Sequence, residues 1–137
     1  MKFENSNLSN LLEYSKVEFS FGNFYLLDQF IISEINEDIH FGWENIEKVI
    51  TMLLNHYGDK INIGYISNRI HNYSLEPQLW IDFQKKYDFI LASAIVVYTK
   101  SNYMNASIEK QIFKKSIKRC ESLEQAITWI KGLEELN

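Results

Sequence analysis

Apolar and polar residues alternate along Val17-Glu18-Phe19-Ser20-Phe21 with the two-residue period of a strand that buries one face. Phe24-Tyr25-Leu26-Leu27 extends that strand past Gly22 or, if the chain turns at Gly22-Asn23, begins another. Phe30 to Ile35 reads as the next strand, and Asp28-Gln29 between them is short enough for a hairpin, so the opening strands are antiparallel neighbours. The period then changes. Trp43, Ile46, Ile50, Leu53, Leu54 and Tyr57 recur at three- and four-residue steps, which puts them on one stripe of a helix that Gly58 is placed to end.

Ile61 to Ile66 predicts a further strand, followed by a polar loop over Ser67 to Glu76. Pro77 suits the first turn of a second helix, whose apolar face is Leu79, Trp80, Phe83 and Tyr87. Ala94-Ile95-Val96-Val97-Tyr98 carries no charge on either side, the pattern of a strand covered on both faces in the middle of a sheet. A third helix is expected over about Ala106 to Phe113, then a short strand, Ile117 to Cys120, suited to an edge. Ser122 and Gln125 form a capping-box pattern that opens a last helix with the stripe Leu123, Ala126, Ile127, Ile130 and Leu133. Trp129, at the margin of that stripe, is expected to pack inward.

The order is β-β-α-β-α-β-α-β-α, an α/β domain with a mostly parallel mixed sheet packed with helices. It occupies residues 1–137 as one domain, with residues 1–14 an N-terminal extension.

Composition narrows the partners. Fourteen Lys and Arg against eighteen Asp and Glu leave a formal charge of -4, so bulk attraction to nucleic acid or an anionic membrane is not expected. Lys110, Lys114, Lys115, Lys118 and Arg119 cluster, which fits positive charge near a helix C-terminus. The aromatic share of 15% accompanies many Ile, Asn and Lys, all with A/T-rich codons, and carries no functional weight. The lone cysteine, Cys120, excludes an internal disulfide and is read as structural. With no apolar signal core at the start and no run long enough to span a bilayer, a cytoplasmic protein without a transmembrane segment is expected.

Motifs for chemistry are sparse. The five glycines make no phosphate-cradling loop, and no nucleophile elbow occurs. His40, His56 and His71 are scattered without metal-ligand spacing, so neither a metal nor a cofactor is expected. His71, Ser74 and Glu76 share one loop, too close in sequence for the usual hydrolytic set, and a catalytic role is not expected. The informative stretch is Ser67 to Pro77, between a strand's carboxyl end and a helix start, where open α/β sheets gather ligands. Ser74 is read there as the cap of the second helix and Arg69 as an exposed loop residue of little weight for stability. Beside that reading stands a structural one, in which Ser74 is a plain cap and Arg69 a hydrogen-bond donor to loop carbonyls.

The whole pattern resembles the STAS superfamily, whose bacterial anti-sigma-factor antagonists have the SpoIIAA-like fold. The ending from Ile117 to Ile130, with Leu123-Glu124-Gln125-Ala126-Ile127-Thr128-Trp129, is similar to that group's last strand and helix. Asn68-Arg69, Tyr73-Ser74 and Pro77 resemble the STAS and SEC14-like proteins of Bacteroidetes-type bacteria. The resemblance implies a non-catalytic regulatory module that binds a protein partner through residues 67–77 and the start of the second helix. Its site residues would be Ser67, Asn68, Arg69, Tyr73 and Ser74, with Ser74 standing where the antagonists carry a phosphorylated serine. The antagonists' Asp-Ser-x-Gly phrase is absent, the sequence reading Tyr73-Ser74-Leu75-Glu76. A SEC14-like carrier of a lipid or small apolar ligand is the alternative that the resemblance implies.

Overall fold

The computed structural model describes residues 1–113 and 115–136. Two short turns of helix, a 3-10 turn at Phe3–Asn5 and α1 (Leu8–Leu11), precede β1 (Ser15–Phe19), β2 (Gly22–Leu26) and β3 (Phe30–Ile35). The chain continues through β4 (His40–Phe41), α2 (Trp43–Tyr57), β5 (Ile63–Asn68), β6 (Ser74–Leu75), α3 (Pro77–Lys86), β7 (Ile90–Val96), α4 (Lys100–Ile112), β8 (Ser116–Cys120) and α5 (Leu123–Lys131). Among the described residues, no helix is long and apolar enough to cross a membrane.

Six strands form one sheet in the order β1-β2-β3-β5-β7-β8, and β4 pairs with β6 in a separate two-residue ladder. The first two pairings are antiparallel and the next three parallel. The hairpin turn expected at Asp28-Gln29 is present, whereas the Gly22-Asn23 turn is corrected, because both residues lie in β2 and the reversal comes two residues earlier. The chain reverses at Ser20-Phe21, so β1 and β2 are distinct strands, and again after Leu26. Gly22 makes this three-stranded entrance possible, because a Cβ there would lie 2.6 Å from the Glu34 carbonyl oxygen of β3.

β3, β5, β7 and β8 are laid across the sheet in one direction, so crossovers of a single hand put α2, α3 and α4 on the same face. Their core contains Phe24, Ile31, Val49, Leu53, Phe83 and Phe113. The other face carries α5, whose buried Leu123, Ala126, Ile127 and Ile130 follow the expected stripe, with Trp129 packed at its margin. A Cβ at Gly64 would come within 2.9 Å of the Ile130 side chain, so glycine at this point of β5 leaves room for the α5 side chains packed on it. Phe3 is fully buried on the same face, with Leu8, Leu12 and Tyr14 packed around it, so the segment read as an extension contributes to this core.

Ala94, Ile95 and Val96 are buried in β7, between β5 and β8, as an uncharged β-branched run requires. Val97 and Tyr98 follow the strand, with Tyr98 40% exposed. α4 begins six residues before the expected start. Thr99 caps it by accepting a hydrogen bond from the Asn102 backbone N–H, a signal hidden because Tyr103, Met104 and Ile108 stay exposed and blur the apolar stripe. Of the basic cluster, Lys110 lies in the last turn of α4, Lys115, Lys118 and Arg119 lie before or in β8, and Lys114 lies outside the described residues.

Cys120 is fully buried at the end of β8, and burial raises its thiol pKa, which disfavours the reactive thiolate. Cys120 is expected to react with an aromatic disulfide reagent only as the chain unfolds. Stoichiometric labelling of the native protein within minutes would contradict that placement.

Candidate functional site

The stretch from Ser67 to Pro77 divides into two parts facing opposite ways. Ser67 and Asn68 finish β5 instead of opening a loop, and the Arg69 backbone N–H continues the pairing by donating to the Val96 carbonyl at 3.2 Å. All three side chains point into the protein, with exposures of 1%, 1% and 6%. The expectation of an exposed Arg69 is therefore corrected: its guanidinium lies under α4, where two of its nitrogens meet the two Glu109 carboxylate oxygens at 2.6 and 2.7 Å.

This fork is the centre of a buried polar network. Arg69 Nε donates to Ser67 Oγ at 3.0 Å, Ser67 Oγ is 3.2 Å from the Tyr73 hydroxyl, and Trp80 Nε1 donates to Glu109 Oε1 at 2.6 Å. The Tyr73 ring lies against the guanidinium, 5.5 Å from ring centre to Cζ, and the Arg69 carbonyl accepts from Asn102 Nδ2 at 3.0 Å. Burial alone would lower the pKa of Arg69, but its polar partners, Glu109 among them, reverse the direction and hold it raised. A paired, multiply hydrogen-bonded guanidinium of this kind is a fixed structural group.

Asn68 belongs to a second network on the other face. Its Nδ2 donates to Glu34 Oε2 at 2.8 Å and to the Met1 carbonyl at 2.9 Å, while its Oδ1 accepts from the Tyr98 hydroxyl at 2.7 Å. Glu34 also accepts from the Phe3 backbone N–H at 2.7 Å. Burial, reinforced by the charge of Glu34, pushes the Tyr98 phenol up to about 12.

The second part of the stretch is on the surface. β6 runs parallel to β4, forming a strap outside the main sheet, tied by Ser74 N–H to the Ile39 carbonyl and Asp38 N–H to the Asn72 carbonyl. Ser74 is exposed and its Oγ lies 2.7 Å from His40 Nδ1. His71 Nδ1 is 3.6 Å from Glu37 Oε2, beside the same strap. Ser74 is not the cap of α3: the N-cap is Glu76, without a side-chain capping bond, and Pro77 takes the first helical position as expected. The structure thus joins Ser67, Arg69 and Tyr73, puts Asn68 in a separate network, and turns Ser74 outward. His71, Ser74 and Glu76 do not form a set, since His71 turns to Glu37 and Ser74 to His40.

His40, Glu34 and Glu109 are the participants that sequence reasoning missed. Glu34 in a strand that is apolar but for its neighbour Ser33, and Glu109 between Ala106 and Phe113 on one helix face, are carboxylates at core positions, and that mismatch was the signal in the sequence. Nothing comparable marks His40, which reaches Ser74 only through the two-residue ladder.

Behind the strap, between the sheet and helices α2 and α3, lies a cavity of about 80 Å³. Its walls include Ile31, Val49, Leu53 and Phe89, and Phe41 and Leu75 reach it from the strap.

No protein-family model matches this chain, and no curated protein does. A solved structure does: a protein of the DUF3478 family from Shewanella loihica PV-4, described as uncharacterised and as having a SpoIIAA-like fold. It aligns over 87% of this chain and 93% of its own length with a TM-score of 0.55, at 11% sequence identity. The fold is SpoIIAA-like. At that identity the likeness establishes architecture alone. In this SpoIIAA-like domain the strap stands at the entrance to α3, with Ser74 two residues before the helix N-cap.

Proposed function

We propose that this SpoIIAA-like domain is a non-catalytic module of the cytoplasm that binds a protein partner through the strap of β4 and β6 and the start of α3. The observation that carries this reading is the separation of roles within residues 67–77. Ser67, Asn68 and Arg69 are locked inward by buried networks, and Ser67 and Arg69, through Tyr73, back an exposed polar surface of His40, Asn72, Ser74, Glu76 and Gln78. A preorganised surface binds without first ordering its own loop, which reduces the entropic cost of association. Ser67, Arg69 and Tyr73 act in this reading as positioning residues, and Ser74 as the contact and the phosphorylation site.

Phosphate on Ser74 would add nearly two negative charges beside His40 and Glu76, changing the surface without touching the core. The alternative, a carrier of a lipid or small apolar ligand, calls for a cavity of roughly 300–1,000 Å³. The space between the sheet and α2 and α3 is about 80 Å³.

The reading is tested with Ser74→Ala and Ser74→Glu. Both should change stability by under about 0.5 kcal/mol, because the side chain is exposed. Ser74→Glu should weaken the partner complex at least about tenfold, equivalent to about 1.4 kcal/mol. Unchanged affinity in both variants, measured by titration calorimetry against the isolated partner, would remove the strap from the binding surface.

A further inference from the structure

We infer that the free edge of β8 is a docking site for an acidic segment of a partner protein, which adds to the sheet in extended form beside Tyr103 and Lys110 of α4. The first ground is charge. The formal charge of the whole chain is -4, yet residues 100–120 contain Lys100, Lys110, Lys114, Lys115, Lys118 and Arg119 against a single carboxylate, Glu109. Glu109 is buried and paired with Arg69, so it offsets none of these cations. Complement to a helix dipole accounts for Lys110 alone, since Lys115, Lys118 and Arg119 come after α4 has ended. At the other edge of the sheet, Lys16 of β1 is paired with Glu4 and Glu18. Among the described residues, Lys100, Lys110, Lys115, Lys118 and Arg119 form no such pair.

The second ground is the backbone. β8 ends the sheet, with β7 on one side and, among the described residues, no strand on the other. The Cys120 carbonyl accepts from the Val97 N–H on the β7 side, so strand alternation turns the backbone groups of Ile117 and Arg119 toward the open side. A row of unpaired donors and acceptors is a template for one more strand. Basic side chains along it oppose pairing with the same edge of a second copy and attract a strand that carries carboxylates. A lipid headgroup would answer the charge but not the backbone.

The third ground is the pair of flanks. Arg119 Nη1 donates to Ser107 Oγ, and the guanidinium lies 4.1 Å from the centre of the exposed Tyr103 ring. These contacts tie α4 to β8 and hold an aromatic surface beside the edge. Lys110, two helical turns after Tyr103, lies on the same side of α4, while Lys118 projects from the opposite face of the sheet to Arg119. An added strand meets a cation on each of its faces, so acidic residues at successive positions fit it better than acidic residues at alternate ones.

The test uses a capped eight-residue peptide of Glu and Val with carboxylates on both faces, and its Lys-for-Glu counterpart as control. Each is titrated into the full chain at low salt and followed through backbone amide resonances. The acidic peptide should bind saturably, with the largest shifts at Ile117 and Arg119, and the basic one should bind at least about tenfold more weakly. Lys110→Glu combined with Lys118→Glu should weaken the acidic peptide at least about tenfold without lowering the melting temperature, because neither side chain has an ion pair to lose. Should that variant fail to fold, Lys110→Gln with Lys118→Gln replaces it, with a smaller effect in the same direction. Methylating the peptide nitrogens should abolish binding by removing the strand hydrogen bonds. Full affinity of the methylated peptide, equal binding of the basic one, or binding of phosphatidylserine vesicles in place of the acidic peptide would each overturn the inference. Ser74→Glu, in the strap, should bind the acidic peptide as the parent does, so a failed strap surface and a failed sheet edge are told apart.

Discussion

Arg69→Ala is expected to cost about 3–5 kcal/mol of folding stability, because it leaves the Glu109 carboxylate buried without its cation. The two side chains are only 6% and 5% exposed, so water cannot take over the lost contacts without opening the interface between β5 and α4. Among the described residues, Trp80 Nε1 would be the remaining donor to the charge, and Ser67 would lose the Arg69 Nε–H. Chemical denaturation should show the midpoint falling with little change in slope. Replacing both partners, Arg69→Met with Glu109→Leu, should be far less harmful than the sum of the single changes, since no uncompensated charge remains. A loss below about 1 kcal/mol for Arg69→Ala would mean that the guanidinium is not committed to Glu109. In a partner-binding assay the variant's defect should track its unfolding, in contrast to Ser74→Glu.

Phe3→Ala should cost a similar amount, about 3–5 kcal/mol, the usual range for removing a fully buried aromatic ring. Its ring lies 5.0 Å from Tyr14 and 4.9 Å from Tyr25, and its backbone N–H is a hydrogen-bond donor to buried Glu34. The change therefore leaves a void against β2 and loosens the segment that holds Glu34 and Asn68. If the segment were merely appended to the domain, the same substitution would fall within about 0.5 kcal/mol, the range of surface changes. Urea melts of the two proteins decide between these outcomes.

Those two residues mark where sequence reasoning reaches its limit. Periodicity located α2 and α5 because each buries one regular face, an unbroken uncharged run located β7, and Ser122 announced the start of α5 by accepting a local hydrogen bond from the Gln125 N–H. The pattern is weaker wherever burial comes from distant segments. Phe3 stands alone among polar neighbours, and only the folded sheet supplies Tyr25 and the α5 face. Arg69 follows a strand in a polar stretch, and its partner lies forty residues away. The candidate stretch was legible as a place, but its division into inward and outward halves was not. That division depends on β5 running on through Asn68 and on the pairing of β4 with β6, neither of which has a local signature.

The most direct measurement of the account is the set of molecules that co-purify with the native protein from its own cells, assessed by mass spectrometry for proteins and small molecules together. A stoichiometric protein partner should be recovered with the native chain and with Ser74→Ala, and lost with Ser74→Glu at unchanged melting temperature. Recovery of a full-length lipid in place of any protein, or of the same protein with Ser74→Glu as with the native chain, would contradict it.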